Sequence, residues 1–341
     1  MQPSAIAAGI KTRPTPTWQE QMRLCVASAQ ELLSLLSLKS DDVGLSAAAE
    51  KDFPVKVPLS FVRRMHKGDP NDPLLLQILA SQLEDDIVSG YSSDPVGEAG
   101  EANPIPGVLH KYHGRALLIT SSGCAVHCRY CFRRHFPYEN NRNAQSEWRE
   151  ALTYIARDNS IDEVILSGGD PLIVTDKSLA GLVDQISAIP HVKRLRIHSR
   201  LPIVLPDRVT AAMMEAVKRP SLQTIIVVHC NHANEIDSDV RRAFDAIRAH
   251  NITLLNQTVL LAGVNDTEAA QVALNKKLFE AGALPYYLHL LDKVQGAAHF
   301  DIREEEALAL HLKMQVLLPG YMVPKLVREE AGAKSKTLII T

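Results

Sequence analysis

Six short apolar runs recur through the latter part of this chain, and they restrict its fold more than any other feature. They are ALLIT (116–120), EVILSG (163–168), RLRIHS (194–199), TIIVVH (224–229), TLLNQTVLL (253–261) and YYLHLL (286–291). Between them lie amphipathic stretches of helical period: WREALTYIARD, SLAGLVDQISAI, VTAAMMEAVKR, SDVRRAFDAIRAH and AAQVALNKKLFEAG. A crossover long enough to hold a helix returns the chain in its original direction, so this alternation predicts a parallel sheet with right-handed connections. Six units suit either an open doubly wound sheet or an incomplete TIM-type barrel. The barrel is favoured because polar residues gather where the strands end: Ser167-Gly168-Gly169-Asp170, His198-Ser199-Arg200, His229, Asn256-Gln257 and Asp292. In a barrel those ends converge on one face, the one that carries active sites.

Residues 1–105 have a different texture and read as a mainly helical region and linker, leaving 106–341 for the barrel. Thr17 and Glu20 have the spacing of a capping box, and an apolar pattern follows through Leu38, which predicts one helix. A second helix is predicted from Pro73 to Leu83, and the acidic, Gly-, Pro- and Ser-rich stretch 84–109 reads as a long connection. Residues 1–17, rich in Pro, Thr and Ala, read as loose.

With 341 residues, 46% of them hydrophobic, the chain can bury a substantial core. A formal net charge of −2 makes no electrostatic commitment to nucleic acid or to an acidic membrane. The first residues lack the apolar core of a signal peptide, and no apolar run approaches the roughly 18 residues of a membrane span. A cytoplasmic protein with neither nucleic-acid nor membrane partners is expected.

The chemistry concentrates in SSGCAVHCRYCFRRHF, residues 121–136, where Cys124, Cys128 and Cys131 fall within eight residues. Five cysteines, an odd number with three crowded together, suggest metal rather than a disulfide framework. Three thiolates on one tight loop can hold three irons of a [4Fe–4S] cluster, whose complete ligation takes four. The missing ligand leaves one iron open to a small molecule, the mark of a reactive centre. The competing reading is zinc, with His127 or His135 as fourth ligand, but no second knuckle of paired cysteines follows. Cys25 and Cys230 read as packing residues. LSGGDPL (166–172) could bring backbone close to a ligand, and taken alone could equally be an ordinary strand-to-helix turn.

With Tyr130 at the aromatic position of CxxxCxΦC, the cysteine loop resembles that of the radical S-adenosylmethionine (SAM) enzymes. Ser167, Gly168, Gly169 and Asp170 then match the place where those enzymes hold the methionine amino group of SAM. Further stretches narrow the resemblance: PLSFVRRMHKGDPNDPL, HKYHGRALL, RLRIHSRLPIV, NHANE, LLNQTVLLAGVND, PYYLHLLDKVQGAAHF and GYMVPKLVREEAGAKSKT. Together, from about residue 58 to 337, they resemble the lysine 2,3-aminomutase family. The likeness is greatest to its short bacterial branch, which makes (R)-β-lysine for modification of translation elongation factor P.

The resemblance implies an incomplete (βα)6 barrel of the radical SAM kind and an isomerase. Its reaction is a pyridoxal phosphate (PLP)-dependent 1,2-amino shift driven by a 5′-deoxyadenosyl radical. It implies that Cys124, Cys128 and Cys131 ligate the cluster and that Lys336 is the lysine to which PLP attaches, with Lys334 a nearby competitor. Arg133 would grip the substrate carboxylate, a task its planar fork suits; Asp292 and Glu329 would bind the distal ammonium of lysine. Lys111, Tyr112 and Arg115 fall where the family holds PLP, with a lysine at 111 replacing an arginine. His229, Asn256 and Gln257 match positions near SAM. Without the motifs, Arg133 and Lys336 would read as solvated charges and Asp292 as a turn residue. The implied partners are free L-lysine, a cellular one-electron reductant and, functionally, elongation factor P with its lysine ligase. The alternatives are an aminomutase for arginine or another amino acid and, in a different class, a non-catalytic zinc-binding module. Two distal carboxylates argue against glutamate, whose side chain they would repel.

Overall fold

The computed structural model describes residues 16–141 and 148–340, so the reading of the first fifteen residues lies outside the described residues. Among the described residues nine strands form one sheet and follow one another in chain order. They are β1 (Val108–Tyr112), β2 (Arg115–Ser121), β3 (Glu163–Gly168), β4 (Arg194–Ser199), β5 (Gln223–His229), β6 (Thr253–Val259), β7 (Leu284–His289), β8 (Lys325–Arg328) and β9 (Thr337–Leu338). Every neighbouring pair from β2 to β8 is parallel, while β1 with β2 and β8 with β9 are antiparallel. A doubly wound sheet reverses its strand order at a switch point. This one never does, which is the winding of a barrel; β1 and β9 end the sheet, so the barrel is incomplete.

All six apolar runs are strands, and five helices alternate with them: Trp148–Arg157, Asp176–Ser187, Ala211–Val217, Ser238–Ala249 and Glu268–Glu280. The last four start at side-chain caps, Thr175, Thr210, Asp237 and Thr267, whose oxygens accept from backbone N–H groups of the first turn. Their apolar faces bury residues such as Leu179, Val183, Phe244 and Leu274 completely. The same core includes Leu32, Leu36, Val57 and Phe61, so the N-terminal region packs into the barrel's wall.

Two expectations for that region fail. The predicted helix through Leu38 is two, Trp18–Arg23 and Ala29–Leu36. Val26 leaves the helical path to exchange both backbone hydrogen bonds with Val57, at 2.9 and 3.0 Å, and Ser28 restarts the helix as its cap. The predicted helix from Pro73 to Leu83 is a single turn, Pro73–Leu76, started by Asp72. It stops because the Gln77 carbonyl turns to accept from Arg129 N at 2.9 Å. Three strands were also not foreseen. The hairpin strand β1 starts at the end of the presumed connection and runs past it, while β8 and β9 are four and two residues long, too short to show a period. The unforeseen β8 matters to function, because it sets Glu329 and Lys336 beside the end of β7.

Candidate active site

The cysteine loop follows β2 and is held from below by the N-terminal region. His127 N donates to Lys56 O (2.9 Å), and the His127 ring lies on Phe53 with Nδ1 2.8 Å from Pro54 O. Arg129, fully buried, donates to both oxygens of Glu84 at 2.8 and 2.6 Å. All five cysteines are free thiols. Burial pushes the Cys124 thiol well up, with Cys131, Asp170 and Cys128 adding to the effect; burial and Cys128 push Cys131 to about 11. These two thiols stay protonated at neutral pH unless iron takes the proton's place. Among the described residues no three metal-ligating side chains converge as a single ion would demand. A cuboidal cluster instead distributes three cysteines over three irons, and three cysteines on one loop fit it. His127 is turned to Phe53 and Pro54.

The SGGD turn packs directly on that loop. A side chain at Gly169 would meet Gly123 O at 2.3 Å, and Gly168, at φ +113, would meet Ser121 O at 2.6 Å. Gly169 N and Asp170 N donate to Ser121 O (2.7 Å) and Gly123 O (2.8 Å). The glycines therefore serve first to let two backbones touch, and those two N–H groups are not free for a ligand, as the sequence alone suggests they would be. Asp170 is likewise a brace: its carboxylate accepts from Leu172 N, Ser199 Oγ, Arg200 N and Leu201 N. Asn256 is another, spending its amide on the backbone of Cys230 at 2.9 and 3.1 Å. Gln257, half-buried on β6, and His229 at the end of β5 remain open to a ligand.

A chain of alternating charges crosses the mouth. Arg133 donates through Nε and Nη2 to Glu98, at 2.6 and 2.8 Å, and through Nη1 to Ser167 Oγ at 3.1 Å. Lys111 Nζ lies 3.0 Å from Glu98 and 2.7 Å from Glu329, whose other oxygen is 2.5 Å from Lys336 Nζ. Glu98 was not singled out from the sequence. It sits in the presumed connection, on a turn made by Asp94, which accepts from Glu98 N and Ala99 N, and by Gly97 at φ +67. Burial raises Glu98, but Arg133 and Lys111 more than offset it and hold the carboxyl below its ordinary value. Lys336 is half-buried, while Lys334 is exposed.

Several buried polar atoms here have no partner among the described residues: Nε2 of His198, His229 and His289. Burial, with Arg200, Arg133 and Lys336 nearby, lowers His229 to about 3. A buried polar group left unsatisfied costs about 1–3 kcal/mol. Several beside Lys336, Lys111 and the Arg115 guanidinium, itself 4.7 Å over the Tyr112 ring, fit a polar, phosphate-bearing cofactor. Beyond Glu329 opens a cavity of about 620 Å³ whose lining holds six carboxylates, Asp292 and Glu329 among them, against three cationic side chains. Burial and the neighbouring Glu329 push Asp292 up to about 7.

A model of the Radical SAM superfamily matches residues 118–274 of this chain. The L-lysine 2,3-aminomutase of Escherichia coli (strain K12) is 50% identical over 334 residues, 97% of each chain. That of Haemophilus influenzae is 48% identical over 326 residues, 96% of each. The L-lysine 2,3-aminomutase of Clostridium subterminale is 31% identical over 324 residues, covering 95% of this chain and 77% of that one.

Proposed function

Since this chain belongs to the L-lysine 2,3-aminomutase family of radical SAM enzymes, we propose that it moves the α-amino group of free L-lysine to C3, giving (R)-β-lysine. It is an isomerase, and its family works with a [4Fe–4S] cluster, SAM and PLP. When bound, the cluster with SAM supplies hydrogen-atom abstraction, and PLP supplies an electron-accepting ring that carries the migrating nitrogen.

The residues of this chain do the rest. Cys124, Cys128 and Cys131 hold the iron, and Lys336 holds PLP with Lys111, Tyr112 and Arg115. Arg133, oriented by Glu98, turns Nη1 from Ser167 Oγ to the substrate carboxylate. Asp292 and Glu329 take the distal ammonium, so the amino acid is held at both ends and only its middle carbons are free to react. Ser167, Gly168, His229 and Gln257 are left for SAM, with Asp170, Gly169 and Asn256 supporting them.

The observation that carries the substrate is the carboxylate excess around Asp292, which favours a cation over a second acid. The test is an anaerobic incubation with SAM, PLP and dithionite, supplied separately with L-lysine, L-arginine or L-glutamate. β-Lysine is the expected product. β-Arginine formed in preference would move the substrate, and no product from a cluster-loaded protein would remove the activity. Two-ended gripping leaves no room for a peptide bond at the carboxylate, so turnover confined to a lysylated protein would also overturn this reading.

The chain spans nearly all of the Escherichia coli relative but about three quarters of the clostridial one. The higher identity to the Escherichia coli and Haemophilus influenzae relatives, 50% and 48% against 31%, supports the short bacterial branch, and with it a supply of β-lysine to the ligase that modifies elongation factor P. A cellular one-electron donor and a cytoplasmic setting belong to the same proposal. Among the described residues no helix is long and apolar enough to cross a membrane.

Asp292 also gives the reaction a pH signature. An ammonium prefers the ionised carboxylate, so binding must remove the proton that a pKa of about 7 keeps on Asp292 in acid. KM for lysine is expected to rise about tenfold for each pH unit below 7 and to level above it. Asp292→Asn should raise KM by on the order of 10²-fold and abolish that slope. Initial rates across neutrality check both, and a slope that survives in the variant would assign it elsewhere.

A further inference from the structure

We propose that Arg200 is the fixed counter-charge of the iron–sulfur centre, a positioning residue that sets its reduction potential through Cys128. Arg200 follows directly on β4 and only 6% of its surface is exposed. Its Nη1 lies 2.7 Å from Cys128 Sγ and 2.7 Å from the Tyr130 hydroxyl. Its Nη2 lies 2.7 Å from Gln77 Oε1 and 3.2 Å from Glu235 Oε2. Its own backbone N–H and that of Leu201 donate to the Asp170 carboxylate, at 2.8 and 3.1 Å. Three separate segments thus meet the guanidinium, and a fourth holds its backbone.

A buried cation is costly unless something anionic meets it. Glu235 meets one edge of the fork, and it is fully buried with its other oxygen taken by Asn231 N and His232 N. The remaining edge faces the Cys128 sulfur and the Tyr130 hydroxyl. That arrangement makes physical sense when Cys128 is a thiolate on iron. Hydrogen bonds and positive charge at a cluster's sulfurs favour the form with the extra electron, and so raise the potential. Arg200 would bring a strongly reducing centre within reach of the cell's donor, and Glu235 behind it would temper the effect. This role depends on the proposed cluster at the three cysteines but not on the identity of the amino acid.

The test is a redox titration of the full chain, reconstituted anaerobically with iron and sulfide, without SAM or lysine. Potential is read by electron paramagnetic resonance, and iron content is measured for each sample. Arg200→Gln should shift the midpoint to more negative potential, and Glu235→Gln should shift it the other way. Opposite shifts from two neighbouring buried residues are not what a purely structural role produces. Equal midpoints for wild type and Arg200→Gln would overturn the inference. Should Arg200→Gln fail to hold iron, Glu235→Gln decides: an upward shift supports the role, and no shift or a downward one ends it. A wild-type chain that loads no cluster would instead defeat the cluster assignment itself.

Discussion

Replacing Lys336 by alanine is expected to stop amino migration and to abolish covalent uptake of PLP, while Lys334→Ala leaves both intact. The two lysines are two residues apart, and only the fold separates them. β9 runs antiparallel to β8 with Arg328 opposite Thr337, which brings Lys336 against Glu329 on the continuing strand. There its ammonium is 2.5 Å from Glu329 and 5.9 Å from the centre of the Tyr287 ring. Lys334 lies on the exposed turn before β9. Losing a covalent participant costs about 10⁴-fold or more in turnover. The variant should keep its fold, because Glu329 retains Lys111 at 2.7 Å as a counter-ion. Absorbance of bound PLP, read beside product formation and circular dichroism, checks the prediction. An inactive Lys334→Ala beside an active Lys336→Ala would move the attachment point.

The strands from 116 to 291 could be read from sequence because each is six or seven residues long with an apolar set that contrasts with the helical period of its neighbours. β8 could not, since Lys325–Arg328 buries only Leu326 and Val327. The N-terminal helix was overrun for a related reason. Its apolar pattern continues through Val26, but a tertiary pairing with Val57 outweighs local preference. The site divides in the same way. Three cysteines on one loop are close in space because they are close in sequence, so their spacing alone suggested iron. Glu98 and Arg200 reach Arg133 and Cys128 from segments 35 and 72 residues away. Little local distinguishes Glu98 from a solvated charge, and Arg200 shows only its place at a strand's end. One weak signal for Glu98 existed, a carboxylate four residues after an Asp-Pro turn in a stretch read only as connection. For Gly169 and Asp170 the sequence did not show their structural part: they seat their turn on the cysteine loop.

Loss of any one of Cys124, Cys128 or Cys131 is expected to be as complete as loss of Lys336, with a different signature. With each thiolate holding one iron, as proposed, Cys128→Ala would leave two irons without protein ligands, including the one meant to stay open. The chain should then lose its brown colour, most of its iron and all turnover, while PLP still attaches at Lys336. Cys25→Ala and Cys230→Ala should retain iron, because those sulfurs point to backbone carbonyls, Ala125 O at 3.9 Å and His232 O at 3.4 Å. Loading should also depend on pH with a definite sign. Burial raises Cys124 and Cys131 in the metal-free chain, so ligation must expel protons and is favoured as pH rises. Reconstitution followed across neutral and mildly alkaline pH, with iron and sulfide counted at each point, measures it. A tightly held single zinc that survives Cys128→Ala and ignores added SAM would contradict the cluster assignment, and with it every role that depends on an open iron.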